Sequence, residues 1–170
     1  EEYSLGMKHL LPILLLVFSV GVGADDGVKA KAAVLSGDYQ TAIKLYLPYA
    51  EAGVSEAQYN IGYAYERLRR FTEAIYWYRK AAEAGQVKAQ FSLAQLYDFA
   101  VGVPEDNAEA ARWYTKAAEN SHPKAQNNLA TLYVNGDGVT QNYTKSLYWY
   151  KKAMMQGHGS AAWNVANHYG

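Results

Sequence analysis

Four short stretches of this chain hold residue types that could do chemistry. "SHPK", Ser121 to Lys124, has the S-x-x-K spacing with which serine penicillin-binding enzymes set a nucleophile beside a lysine. Those enzymes also use S-D-N and K-T-G, and neither follows here. The same column reads "GQVK" from Gly85 and "GHGS" from Gly157, so the stretch is read as a junction between elements, and hydrolysis through Ser121 and Lys124 stays as an alternative. His122 and His158 occupy equivalent places. They would lie about 10 Å apart at helix-packing distance with no third ligand specified, so they are read as exposed loop histidines and not as a metal pair. Gly136-Asp137-Gly138 has no strand before it and no lysine placed for a phosphate. Asn142-Tyr143-Thr144 is a glycosylation sequon, but an Asn that caps a helix explains it more simply. No catalytic set, no metal site and no cofactor site emerges, and the chain is expected not to be an enzyme.

Composition removes further classes. The 170 residues suffice for one domain with a core. Lys plus Arg equals Asp plus Glu at 16 each, so no net field draws the chain toward nucleic acid. Sixteen tyrosines and an apolar half argue for a core of rings and small residues. Cys is absent, which rules out disulfides, thiolate metal sites and a cysteine nucleophile.

Met7-Lys8-His9, the apolar run from Leu10 to Val22 and the small residues Val22 and Ala24 form the pattern of a secretory signal peptide cut after Ala24. The run is short for a span, which needs about 20 apolar residues, and it contains Pro12. No membrane insertion is expected after cleavage. "EEYSLG" ahead of Met7 is read as an upstream misread or remnant, and the mature protein is expected to be periplasmic or secreted.

Behind the leader, one sentence of sequence is repeated. "WYRKAAEAGQVKAQ" from Trp77 returns as "WYTKAAENSHPKAQ" from Trp113 and again as "WYKKAMMQGHGSAA" from Trp149, a period of 36 residues. A fixed period of that length marks stacked units. Asp38, Arg70, Asp106 and Asn142 start four copies of one helix, three of them with good capping residues, and Asp106 with Glu109 reads as a capping box. Gly53, Gly85, Ser121 and Gly157 should end these helices in a left-handed conformation. Ala74, Tyr78 and Ala81, like Ala110, Tyr114 and Ala117, fall on one face. A second helix recurs as "AQYNIGYAY", "AQFSLAQLY", "AQNNLATLY" and "AAWNVANHY". Pro48 should kink the first copy or end it early. Such helical hairpins hide their apolar sides only by stacking, which predicts an all-α, right-handed α-solenoid of antiparallel helix pairs.

The pattern A-x-x-x-L-G-x-x-Y, a G-x-G-V loop and A-x-x-W-Y-x-K-A-A-x-x-G resembles the Sel-one-like repeat family, kin of tetratricopeptide repeats. Residues 55–85, 86–121 and 122–157 match as whole repeats. Residues 25–54 form a partial repeat in which 38–53 match only the second helix, and 158–170 match only the first. Two loops depart from the pattern. "FAVGV", Phe99 to Val103, lacks the first glycine, and the "ERLRRF" connection of the first full repeat is four residues short and tetratricopeptide-like. The resemblance implies an adaptor or scaffold that binds a protein or peptide on the concave groove, or else a purely structural part of an envelope assembly.

Packing does not dictate the outward stripe of each first helix, and that stripe is where a partner would be read. It comprises Tyr59 and Tyr63, Phe91 and Gln95, Asn127 and Thr131, and Trp163 and Asn167. Asn60, Asn128 and Asn164 form a second column, interrupted by Ser92, whose amides could hold a peptide backbone or tie neighbouring repeats. Arg67, Arg69 and Arg70 form a basic cluster on the short loop, read as a solvated face with an acidic partner segment as the sharper alternative.

Overall fold

A computed structural model of the chain describes residues 24–169. The leader reading of residues 1–24 therefore lies outside the described residues except at Ala24. Among the described residues all regular structure is helical: α1 Ala24–Ser36, α2 Tyr39–Glu51, α3 Ser55–Arg67, α4 Phe71–Glu83, α5 Val87–Asp98, α6 Asn107–Glu119, α7 Pro123–Asn135, α8 Tyr143–Met155 and α9 Gly159–Tyr169. This is an all-α repeat solenoid. Of the described residues, 24–77 form one compact unit and 78–169 a second, so the division falls inside α4.

The helix starts follow from side chains that satisfy orphan backbone donors. Asp38 accepts from the Thr41 N–H at 3.1 Å, Asp106 from Glu109 at 2.9 Å and Asn142 from Lys145 at 2.9 Å. The capping box is only half formed. The Glu109 carboxylate takes hydrogen bonds from Arg112 and from the Trp113 indole at 2.9 Å, while the Asp106 N–H donates to the Tyr97 carbonyl. The helix ends also follow the repeat: Gly53, Gly85 and Gly157 have φ between 80° and 89°, and Ser121 adopts the same left-handed turn at 62°.

The two long connections differ as their glycines do. Gly136 ends α7 at φ 81°, whereas Ala100 takes the equivalent place at 53°, a conformation that costs a residue with a Cβ about 1 kcal/mol or more. Gly138 is required for space. A Cβ there would lie 2.1 Å from the backbone carbonyl of Asn107, so the loop after α7 rests directly on the start of α6.

Two expectations need correction. Helix α2 does not break at Pro48 but runs on to Glu51. The ring removes a single N–H bond, the one Lys44 would have received; Lys44 is exposed, so water can serve its carbonyl. The partial first repeat also has its first helix. Helix α1 packs on α2 and buries Ala30 and Ala33, but it carries no ring at the usual columns, which is why the pattern missed it.

In the first unit the core is Ile43, Ala50, Ala57, Ile61 and Ala64, with Tyr46, Tyr65, Leu68 and Trp77 packed around it. In the second, Tyr78, Tyr114 and Tyr150 are fully buried in equivalent places, each between small residues: alanines, except for Ser146 before Tyr150. Small residues let neighbouring helices approach, and the rings fill what remains. The tryptophan column is less uniform: Trp113 is buried, and Trp77 and Trp149 are half-buried.

Candidate partner-binding surface

In the first unit α3 carries Tyr59, Tyr63 and Arg67 at intervals of four, hence along one stripe. Tyr59 and Tyr63 are half-buried. Burial, then Glu56, Glu66 and Tyr63, push the Tyr59 phenol above its ordinary pKa. Tyr63 meets Tyr39 of α2 edge-on at 6.2 Å, and Arg67 stands over both rings, at 5.7 Å from Tyr39 and 6.0 Å from Tyr63. Arg67 belongs to the last turn of α3, so only Arg69 and Arg70 of the basic cluster sit in the connection. Asn60 is half-buried beside this stripe.

In the second unit the stripe residues join a chain of hydrogen bonds across four helices, α9, α7, α6 and α5. The Asn164 amide of α9 donates to Asn127 at 3.1 Å, Asn127 to Asn128 at 3.3 Å, Asn128 to the Tyr114 hydroxyl at 3.0 Å, and Tyr114 to the Asp98 carboxylate at 2.9 Å. Burial pushes Asp98 above the usual carboxylate range against the Tyr114 bond, with Asp137 and Glu105 adding to the rise. Thr131 hydrogen-bonds the Tyr150 hydroxyl at 2.9 Å. The structure thus brings Asn127, Asn128, Thr131 and Asn164 together through contacts within the chain. Gln95 is half-buried on α5, while Trp163 and Asn167 are exposed, Trp163 at 65%.

Phe91 stacks on His122 with ring centroids 4.4 Å apart and tilts against Tyr114 at 5.9 Å. His122 is therefore no exposed loop residue. It is half-buried, its Nδ1 accepts from the Ala125 N–H at 3.2 Å as the cap of α7, and burial with Lys124 and His158 holds its pKa below the ordinary value. His158 is half-buried too, and its Nδ1 is buried without a partner among the described residues. Ser121 is exposed in its left-handed turn and Lys124 is exposed on the first turn of α7. Among the described residues no three His, Cys, Asp or Glu side chains gather as metal ligands.

Sequence reasoning missed the glutamine of each "AQ". Gln58, Gln90 and Gln126 are buried at 7%, 4% and 1%, and each amide donates to a carbonyl of the preceding helix: Ala50 at 3.0 Å, Ala82 at 3.1 Å and Ala118 at 3.1 Å. A buried amide at a constant spacing of eight residues from its acceptor locks one helix end to the next helix start. The signal was present, a polar residue fixed within an apolar column, but nothing in the sequence named its acceptor.

The Sel1 repeat pattern matches residues 87–122 and 123–158, and the tetratricopeptide repeat pattern matches residues 28–89. The chain is a Sel1-repeat protein. It superposes on the crystal structure of a Sel1 repeat protein from Oxalobacter formigenes with a TM-score of 0.78 and 32% identity, over 86% of this chain and 60% of that one. A protective antigen of uropathogenic Escherichia coli that displays an SLR fold matches with a TM-score of 0.68 and 34% identity, over 75% of this chain and 28% of that one. An uncharacterized protein of Neisseria meningitidis is 37% identical over 67 residues, 39% of this chain and 14% of its own length. The chain thus spans less than two thirds of these relatives. As a Sel1-repeat protein it belongs to a class whose common work is protein–protein interaction. Among its described residues no helix is long and apolar enough to cross a membrane.

Proposed function

We infer that this Sel1-repeat protein is an exported, non-enzymatic adaptor that holds a protein or peptide partner against the first helices of its repeats. One observation carries the reading. The core columns repeat, as Tyr78, Tyr114 and Tyr150 do, whereas the outward residues differ: Tyr59 and Tyr63 on α3 of the first unit and, in the second, Phe91 and Gln95 on α5, Asn127 and Thr131 on α7, and Trp163 and Asn167 on α9. Side chains that differ from repeat to repeat on a constant scaffold are ones that a partner can specify. Trp163, large and exposed, has the character of an interface anchor. Export is supported by the basic, apolar and small-residue order of Lys8 to Ala24.

The test is affinity capture from native extracts with residues 25–170 as bait, beside Trp163→Ala and Phe91→Leu. Trp163→Ala should lose the captured partner while melting within a few degrees of the parent. Undiminished capture by both variants would overturn the groove reading, and a purely structural role in an assembly would replace it.

A further inference from the structure

Among the arginines described, Arg70 pairs with Glu73, Arg112 with Glu109, and Arg79 lies 3.5 Å from Glu109. Arg67 is different: it is exposed, and no carboxylate of the described residues pairs with it. Its guanidinium is instead placed by two rings, Tyr39 from α2 and Tyr63 from α3. At these distances the rings attract the cation and favour its place above them, while its exposed N–H groups stay open for a planar, two-pronged acceptor. The residue also continues the Tyr59–Tyr63 stripe by one further turn. Arg69 is exposed as well, but it stands over one ring, Phe71 at 5.9 Å, and lies beyond the helix.

We propose that Arg67, resting over the Tyr39 and Tyr63 rings, is the anchor for a carboxylate of the bound partner, which is therefore an acidic peptide segment. The proposal rests on the groove reading and names the partner chemistry of that surface. Glu56 and Glu66 act on the Tyr59 phenol, so recognition of the acid falls on Arg67 and not on the whole stripe. Two pre-placed rings lower the entropy lost when the guanidinium engages its acceptor, and a flexible lysine lacks that advantage.

The experiment uses three fluorescein-labelled peptides, one alternating Glu with Ala and its Gln and Lys counterparts, titrated with residues 25–170 and read by anisotropy. The Glu peptide should bind, and the Gln and Lys peptides should bind at least about tenfold more weakly, the scale of a charge-assisted pair. Arg67→Ala should remove that preference, Arg67→Lys should keep only part of it, and Arg69→Ala should change it less than about twofold, as an exposed charge off the stripe. Equal binding of the Glu and Gln peptides, no binding of the Glu peptide, or an equal loss in Arg67→Ala and Arg69→Ala would each overturn the proposal. Weakening of Glu and Gln peptides alike by Phe91→Leu and Trp163→Ala, with Arg67→Ala inert, would keep the groove and discard this anchor. The reverse pattern would keep the anchor and discard the groove.

Discussion

The Tyr114 hydroxyl donates to the Asp98 carboxylate at 2.9 Å, joining the last turn of α5 to the middle of α6. The ring itself is buried, so the hydroxyl is the polar tip of a core residue. Tyr114→Phe removes the donor and leaves Asp98 and Asn128 each without a partner they now have. A loss of about 1–3 kcal/mol is expected in urea unfolding. An unchanged midpoint would mean that water replaces the phenol at no cost.

Asp98→Asn should act in the opposite direction. Burial raises the folded pKa of Asp98, so the stability linked to its protonated form is present at low pH and lost as pH rises through the folded value. At pH 7 the charged carboxylate is a cost that an amide avoids while still accepting from Tyr114. The variant should be at least as stable as the parent at pH 7, and its advantage should shrink as pH falls toward 4.

The buried glutamines should differ from one another. The Gln126 carbonyl accepts from the Gln156 amide at 2.8 Å, whereas that of Gln90 is buried with no partner among the described residues. Gln126→Ala and Gln90→Ala both lose the bond to the preceding helix, at roughly 1–3 kcal/mol. Gln90→Ala also relieves an unsatisfied oxygen, so it should be the milder of the two by chemical denaturation.

Gly138→Ala and Gly157→Ala separate space from conformation. Both glycines have positive φ, but a Cβ on Gly157 meets nothing within 4 Å and one on Gly138 would collide with the Asn107 backbone. Gly157→Ala should cost about 1 kcal/mol. Gly138→Ala should cost roughly 3 kcal/mol or more, because backbone and not a movable side chain must yield. Equal melting temperatures for the two would contradict the close approach.

His122 should make stability depend on pH. Its folded pKa is depressed below the ordinary value of 6.5, so below that pH the unfolded chain takes up a proton that the folded one resists. The melting temperature should fall as pH drops from 7 toward 5. His122→Asn, which can still cap α7 but does not titrate there, should flatten that slope; an unaltered slope would assign it elsewhere.

Much of this molecule was legible in the residue order. The 36-residue spacing of Trp77, Trp113 and Trp149 yielded the hairpin unit, and Asp38, Asp106 and Asn142 marked helix starts to the residue. These features are local or periodic: a cap reaches three residues along the chain, and a repeated apolar column must face something like itself. Helix α1 was illegible because alanines alone hold its packed face, and Pro48 misled because the carbonyl it deprives has access to water.

What tertiary structure alone decided is which polar side chains find each other. Gln90 and the Ala82 carbonyl, Asn164 and Asn127, and Arg67 and the Tyr39 ring lie on separate helices. Side-chain hydrogen bonds and ring contacts are set by distances of a few ångströms between helices, and periodicity places helices without fixing those distances. The sequence by itself determined the repeated scaffold, because burying apolar faces has one cheap solution for identical hairpins. The fold decided the surface, because an exposed side chain takes its role from neighbours that the chain order does not name.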